Sequence, residues 1–308
     1  MSLQLIKPDV NIDFVGKRYF FVALSTAINL AAILLLIFVG LNYGVDFAGG
    51  TLVQVRFTEA VSGSQIRAAL APLHLGDLTV QDFGKVGHEY LIRFAEGHNV
   101  RNLGRTIGDA LNKAGNHAEV ERVETVGAKV GHDLRTDAIE ALVFATILMG
   151  VYIAIQFRHV SWSFGAGAVI ALIHDVLVVT GALVISQLQF DLTTLAALLT
   201  VIGYSVHDTI IVSDRIREDA AKRRREDLAT VMNRAINETL SRTLLTSGTA
   251  ITVLIALLAF GGPILRPPAF TLLVGFITGT YSSIYIAGPV VLFWEGAGRR
   301  RKTLSRAA

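Results

Sequence analysis

Six long apolar segments limit what this chain can fold into. They span residues 19–40, 138–157, 162–188, 190–213, 243–262 and 269–294. A hydrocarbon layer about 30 Å thick takes roughly 20 helical residues, and a helix satisfies its own backbone hydrogen bonds there. Segments 19–40, 243–262 and 269–294 contain no Asp, Glu, Lys or Arg. Only 17% of the chain is charged, where a soluble domain has about a quarter. A polytopic α-helical membrane protein is expected. The first segment follows Lys7, Lys17 and Arg18, but its apolar run is too long for a signal core and no small-residue cleavage site follows. It is expected to remain as a span. The chain has no cysteine, which excludes disulfides, cysteine zinc sites and a cysteine nucleophile.

The basic residues set an expected orientation, because Lys and Arg in short loops stay on the cytoplasmic side. They cluster in the tail 1–18, at Arg158, in the segment 214–242 and in the tail 295–308. Gln187 to Gln189 carries none, and the loop near Pro263 carries only Arg266. With six spans, every basic cluster falls on one side, so both termini are expected in the cytoplasm. This topology also accounts for the net charge of +3 without a nucleic-acid partner. The run KRRRED reads as a solvated anchor. Leu228, Val231, Met232, Ala235, Ile236 and Leu240 then form one apolar stripe at helical spacing, expected to lie along the membrane's inner face.

Residues 41–137 form a polar insert between the first two spans. TLVQVRF, LTVQDF, EYLIRF and EVERVETV alternate like strands. SGSQIRAALAPL and NVRNLGRTIGDALNKAG read as helices, the first capped by Ser62 or Ser64. The order βαββαβ is the ferredoxin-like pattern of a small α+β domain. The stretch GVDFAGGT lacks the spacing of a phosphate cradle and reads as a turn joining the first span to the first strand.

Ionisable groups inside the spans carry the chemistry. A charge at the bilayer centre costs about 2.5–3.5 kcal/mol, so such residues face protein or water. Asp175, beside His174, lies near mid-membrane, about 20 Å along the third span. Asp208, beside His207, lies about 9 Å inside the interface marked by Asp214. Asp208 reads either as a helix–helix hydrogen bond or as a proton-carrying carboxylate. Asp175 with His174 admits the same two readings. Arg242 reads as an interfacial anchor or as an inward-reaching partner. His207 reads as a polar contact in preference to a second titrating group. Gly203, Ser205, Thr209, Thr246, Ser247 and Thr249 allow close helix packing. Two intramembrane aspartates also fit an aspartyl protease, but here both follow histidine, as HDV and HDT. No catalytic, metal or cofactor site is expected.

Several motifs together resemble the SecF family, the bacterial protein-export membrane subunits of the resistance-nodulation-division superfamily. They are GVDFAGGT, VGAKVGHDL, IALIHDV, VIGYSVHDTIIVSDRIRE, INETLSRTLLTS and GTYSSIYIAGPV, and they run in family order over nearly the whole chain. Asp46, Gly49, Gly50, Gly203, Tyr204, Asp214 and Arg215 are the signature positions. The resemblance implies a proton-gradient-coupled subunit of the bacterial inner membrane, with residues 41–137 periplasmic. It would assist preprotein translocation after SecA-driven export. The implied partners are SecD, the SecYEG channel, and YajC and YidC, with no cofactor. It implies that Asp208 is the proton carboxylate, Arg242 its switchable partner, and Asp175 a supporting residue facing SecD, with His174, His207 and Thr246 as further supporting polar groups. The chain departs from the family at His207, where Asn is usual, at Ser213, where Phe is usual, and at Pro267-Pro268. A scaffold that only stabilises SecD and the channel is the alternative.

Overall fold

The structure is a computed structural model and describes residues 11–76, 78–94, 102–157, 162–223 and 225–296. Lys7, Val100, Arg158, Arg224 and the tail from residue 297 lie outside them. Helix α1 (Arg18–Phe38) is followed by the short α2 (Val45–Ala48) and then by the insert. The insert runs β1 (Gly50–Phe57), α3 (Gly63–Leu70), β2 (Thr79–Asp82), β3 (Glu89–Phe94), α4 (Leu103–Lys113) and β4 (Ala118–Val126). Then come α5 (Ala128–Phe157), α6 (Ser163–Ser186), α7 (Leu192–Lys222), α8 (Leu228–Phe260) and α9 (Gly262–Ser282). A π-helical turn, Ser283–Ala287, interrupts the last helix, which continues to Gly296. Helices α1 and α5 to α9 are long and apolar enough to cross a membrane.

The insert has the expected ferredoxin-like topology. Its antiparallel sheet has the order β2-β3-β1-β4. Alternation along β1 sends Val53, Val55 and Phe57 to one face, where they pack with Ile66, Leu70, Ile92, Ile107 and Leu111 under α3 and α4. Ser62 and Gln65 form a reciprocal capping box that starts α3, satisfying two amides that a helix end leaves unpaired. Leu52 and Leu91 point to the opposite face and meet Val45 and Phe83.

Two connections seat this domain on the bundle. The chain leaving α1 pairs with the α6–α7 loop: Phe190 N donates to Asn42 O at 2.8 Å and Gly44 N donates to Phe190 O at 2.9 Å. Beside this bridge, Asn42 Nδ2 donates to Gln187 O at 2.7 Å, and Arg135 lies over the Tyr43 ring. Arg93 Nη1 reaches back from β3 to Asn42 Oδ1 and Tyr43 O, each at 3.3 Å. Burial holds this guanidinium below the usual arginine range. The second connection is Gly49-Gly50, with φ of +73° and +106°. A Cβ on Gly49 would lie 2.8 Å from Ala128 Cα, and one on Gly131 would lie 2.9 Å from Gly49 N. Glycine is therefore required here both by conformation and by the close approach to α5.

The structure changes two expectations about the helices. Helix α5 starts at Ala128, inside the stretch assigned to the insert, because the helix continues past the apolar window. Residues 228–240 form no separate surface helix; they are the first turns of α8, which Asp227 caps through Ala229 N. Their apolar stripe packs inside the bundle, where Met232, Ala235 and Ile236 meet Val212 and Ile216 of α7 and Phe14 and Val15 before α1. Asn233 and Asn237 fasten that N-terminal segment: Phe14 N donates to Asn233 Oδ1 at 2.8 Å and Ile12 N to Asn237 Oδ1 at 2.9 Å.

Candidate functional site

The buried stripe of α7 is Val201, Ser205, Asp208, Thr209 and Val212, residues three and four apart that share one helix face. It turns Asp208 into the bundle, where the residue is 1% exposed. Two hydroxyls address one carboxylate oxygen: Ser247 Oγ of α8 and Thr280 Oγ1 of α9 each lie 3.4 Å from Asp208 Oδ2. They are also 2.8 Å from each other. Tyr204, one turn earlier, donates to Ser247 Oγ at 3.1 Å and stacks on Phe276 with ring centroids 3.7 Å apart. The second oxygen, Oδ1, is buried with no hydrogen-bond partner. His207 Nδ1 lies 3.8 Å from it.

Asp175 forms a second centre on α6. Ser205 Oγ donates to its Oδ2 at 2.5 Å and Ser282 Oγ at 2.8 Å, while His174 Nδ1 lies 3.0 Å from Oδ1. Asp175 is 1% exposed, so it faces α7 and α9 of its own chain and no outside partner. His174 stacks on Tyr281. Tyr281 hydroxyl contacts Ser25 Oγ of α1 at 2.8 Å and donates to Phe21 O at 3.1 Å.

The remaining sequence-predicted residues separate. Arg242 is exposed and makes no ion pair with Asp208. It precedes Ser247 by five residues, about 7–8 Å along α8. Thr246 is exposed and spends its hydroxyl on Arg242 O and Thr243 O of its own helix; Ser247, its neighbour, holds the contact to Asp208. Gly203 and His207 are exposed on the outer face of α7, one turn apart. Arg215 pairs with Glu238 of α8 and Glu218, and Asp214 pairs with Arg217. Asp46 Oδ2 accepts from Leu192 N at 3.0 Å, at the start of α7. Thr280, Tyr281 and Ser282 stood in the sequence only within the motif GTYSSIYIAGPV and were not named as site residues. The available signal was a run of hydroxyls, TGTYSS, inside an uncharged span.

Residues 106–297 match the family model described as "Protein export membrane protein SecD/SecF, C-terminal". The chain belongs to the SecD/SecF family. Residues 34–61 match the SecD/SecF GG motif, whose two glycines are the positive-φ pair at the foot of β1. The protein translocase subunit SecF of Magnetococcus marinus is 43% identical over 99% of this chain and 99% of its own. That of Calditerrivibrio nitroreducens is 40% identical over 97% of this chain and 99% of its own. The crystal structure of SecDF, a translocon-associated membrane protein from Thermus thermophilus, superposes with a TM-score of 0.84 at 34% identity. That match covers 94% of this chain and 39% of the SecDF chain. A SecDF structure in a super-membrane-facing form gives 0.72 at 33% identity, covering 100% of this chain and 41% of that one. This SecD/SecF family member is a multi-pass membrane protein of the protein-translocation machinery.

Proposed function

We propose that this chain works with a SecD subunit as a proton-driven accessory to protein export, and that Asp208 carries the proton. The observation behind this reading is a buried carboxylate with one oxygen held by two hydroxyls and the other without a partner, at the junction of α7, α8 and α9. An ionised carboxylate there is unfavourable unless a cation approaches. Proton uptake and release at Asp208 therefore changes how strongly the three helices hold together. In this reading Arg242, exposed on a long stem, approaches Asp208 when the proton leaves.

The outer face supports the reading that a SecD partner covers these helices. Gly203, His207, Arg242, Thr246 and Thr249 are exposed on α7 and α8, the helices joined at Tyr204 and Ser247. A histidine and an arginine on membrane-spanning helices face protein or water more readily than lipid. The clustering of Lys and Arg in loops supports a reading with both termini cytoplasmic and the ferredoxin-like domain periplasmic. The domain then stands where an emerging preprotein passes from the SecYEG channel. Proton-gradient-driven release of a preprotein from inverted vesicles, with Asp208→Asn in the complete complex, is the test. Loss of the gradient-dependent part is expected. Release at the wild-type rate would leave the chain a scaffold for SecD.

A further inference from the structure

The reading above assigns one proton site, at Asp208, and leaves the buried pair on α6 without a task. We propose that His174 and Asp175 form a second proton-accepting site, with Nε2 of His174 as the atom that receives the proton. This inference rests on the proton-driven reading and extends it.

The argument starts from donors and acceptors. Two serine hydroxyls and one imidazole nitrogen converge on the Asp175 carboxyl group. Three donors on one side chain complement an ionised carboxylate, which only accepts. Nδ1 of His174 then carries its hydrogen toward Asp175. In a neutral imidazole with hydrogen on Nδ1, the lone pair sits on Nε2. His174 is 2% exposed, and its Nε2 is buried with no hydrogen-bond partner. Lone pairs left unpaired inside a protein are uncommon, and this one belongs to a base held in orientation by a carboxylate.

Protonation improves the charge balance of this pocket. With a neutral ring, the pair carries one buried negative charge. A proton on Nε2 converts the ring to imidazolium and leaves the pair neutral, with no side chain having to move. The ring also stacks on Tyr281, with centroids 5.8 Å apart and 28° between planes, an arrangement that favours a cation over an aromatic face. The step is a single transfer: an O–H bond of a hydronium ion breaks, an N–H bond forms with the Nε2 lone pair, and water remains. Reversal returns the proton.

Most ionisable groups on the elements packed against this pair stand at exposed positions or near helix ends. On α7, Asp208 turns toward Ser247 and Thr280, Tyr204 donates to Ser247, His207 is exposed, and the charged residues from Asp214 to Lys222 stand at the far end. On α9 and its π-turn stand Tyr281 and Tyr285, with Arg266 and Glu295 near the ends. Helix α1 offers Arg18 and Tyr19 in its first turn, preceded by Lys17, and α5 offers Lys129, His132, Asp133, Arg135, Asp137 and Glu140 in its first half and Tyr152 beyond, all exposed. None of these is bonded to Asp175 or to His174 Nε2.

Nitrogen NMR of the full-length chain with its SecD partner in nanodiscs, labelled with 15N-histidine and 13C-tyrosine, tests the proposal without reading translocation. Transfer from the Tyr281 ring assigns His174 among the eight histidines. The His174 nitrogens are expected to move from the neutral to the imidazolium pattern as pH falls from about 8 to 5, the range in which imidazoles change charge. In Asp175→Asn, they are expected to keep the neutral pattern over that range. A neutral pattern throughout in the wild type overturns the proposal, as does the same titration in both proteins. Asp208→Asn separates the two readings: if it abolishes gradient-driven release while His174 never titrates, the first stands and the second falls. His174→Asn puts an amide nitrogen where Nδ1 stood, so it keeps a donor for Asp175 but accepts no proton. It is expected to assemble normally and to flatten the pH dependence of release; an unchanged pH profile counts against the proposal.

Discussion

Thr280 and Ser282, two residues apart on α9, hydrogen-bond to different buried carboxylates: Thr280 to Asp208 of α7, and Ser282 to Asp175 of α6. On α7, Ser205 serves Asp175 while Asp208 sits one turn away. The two centres thus share two helices, and a sliding of α9 against α7 alters both. Gly275 and Gly279 bring these helices close: a Cβ on Gly279 would lie 3.2 Å from Ser205 Cβ. The π-turn at Ser283–Ala287 follows directly, a deviation often found beside functional residues.

Removing the hydroxyls that hold Asp208 is expected to weaken the proposed proton cycle without abolishing it. The contacts are long, so each contributes about 1 kcal/mol. Ser247→Ala and Thr280→Val should each slow gradient-driven release by about fivefold. The double variant should fall short of additivity, because the hydroxyls lie 2.8 Å apart, each has one hydrogen, and their mutual contact competes with donation to Asp208. Initial release rates measured against the size of the proton gradient check this.

Gly49→Ala is expected to loosen the domain from the bundle. With φ +73° and ψ 174°, the residue occupies a region essentially confined to glycine, and an L side chain there costs about 1–3 kcal/mol. The Cβ would also collide with Ala128. Gly131→Ala meets the same contact from the other side, so its normal gain in helix propensity should be reversed. Thermal unfolding of the purified chain should show both variants melting below the wild type.

Tyr90 predicts an alkaline weakness in the insert. Its hydroxyl donates to Val61 O at 2.5 Å, and burial, then the Asp82 carboxylate, raise its pKa above the usual 10.0. The folded state therefore holds this proton more tightly than the unfolded chain. Stability from this group is complete below the unfolded value of 10.0 and is lost as pH rises from there through the folded value. Tyr90→Phe should be less stable at neutral pH by about 1 kcal/mol and should lose less on alkalinisation. Amide exchange of β3 between about pH 9 and 11 reads the difference.

Asn233→Ala should free the segment before α1. The side chain accepts from Phe14 N and Val15 N and donates to Ile12 O. Losing these bonds at a partly exposed site should ease local opening by about 1.4 kcal/mol, or tenfold. Tryptic cleavage after Lys17 or Arg18 should accelerate by about that factor, while cleavage within the domain 50–126 stays unchanged.

Most of the architecture was legible because apolar length and strand alternation are local properties. The apolar stripe at Leu228–Leu240 was legible as a stripe, but a one-sided helix looks the same whether a membrane or a protein surface covers it. Thr246 and Ser247 show a sharper limit. A helix turns 100° per residue, so adjacent hydroxyls face different surroundings, and composition cannot choose between them. The placement of Arg242 outside and Asp175 inside likewise depends on how each helix is rotated about its axis. The glycines of GVDFAGGT read as a plain turn because the surface they touch, at Ala128 and Gly131, is remote in sequence.

The bridge between Gly44 and Phe190 has a practical consequence for chimeras. The ferredoxin-like unit and the α6–α7 hairpin share a stretch of backbone pairing, extended by Asp46 at Leu192. A graft of residues 41–127 from a relative carries only half of that joint. Exchanging residues 187–192 along with it keeps the joint whole, so the natural unit of recombination here is discontinuous in sequence.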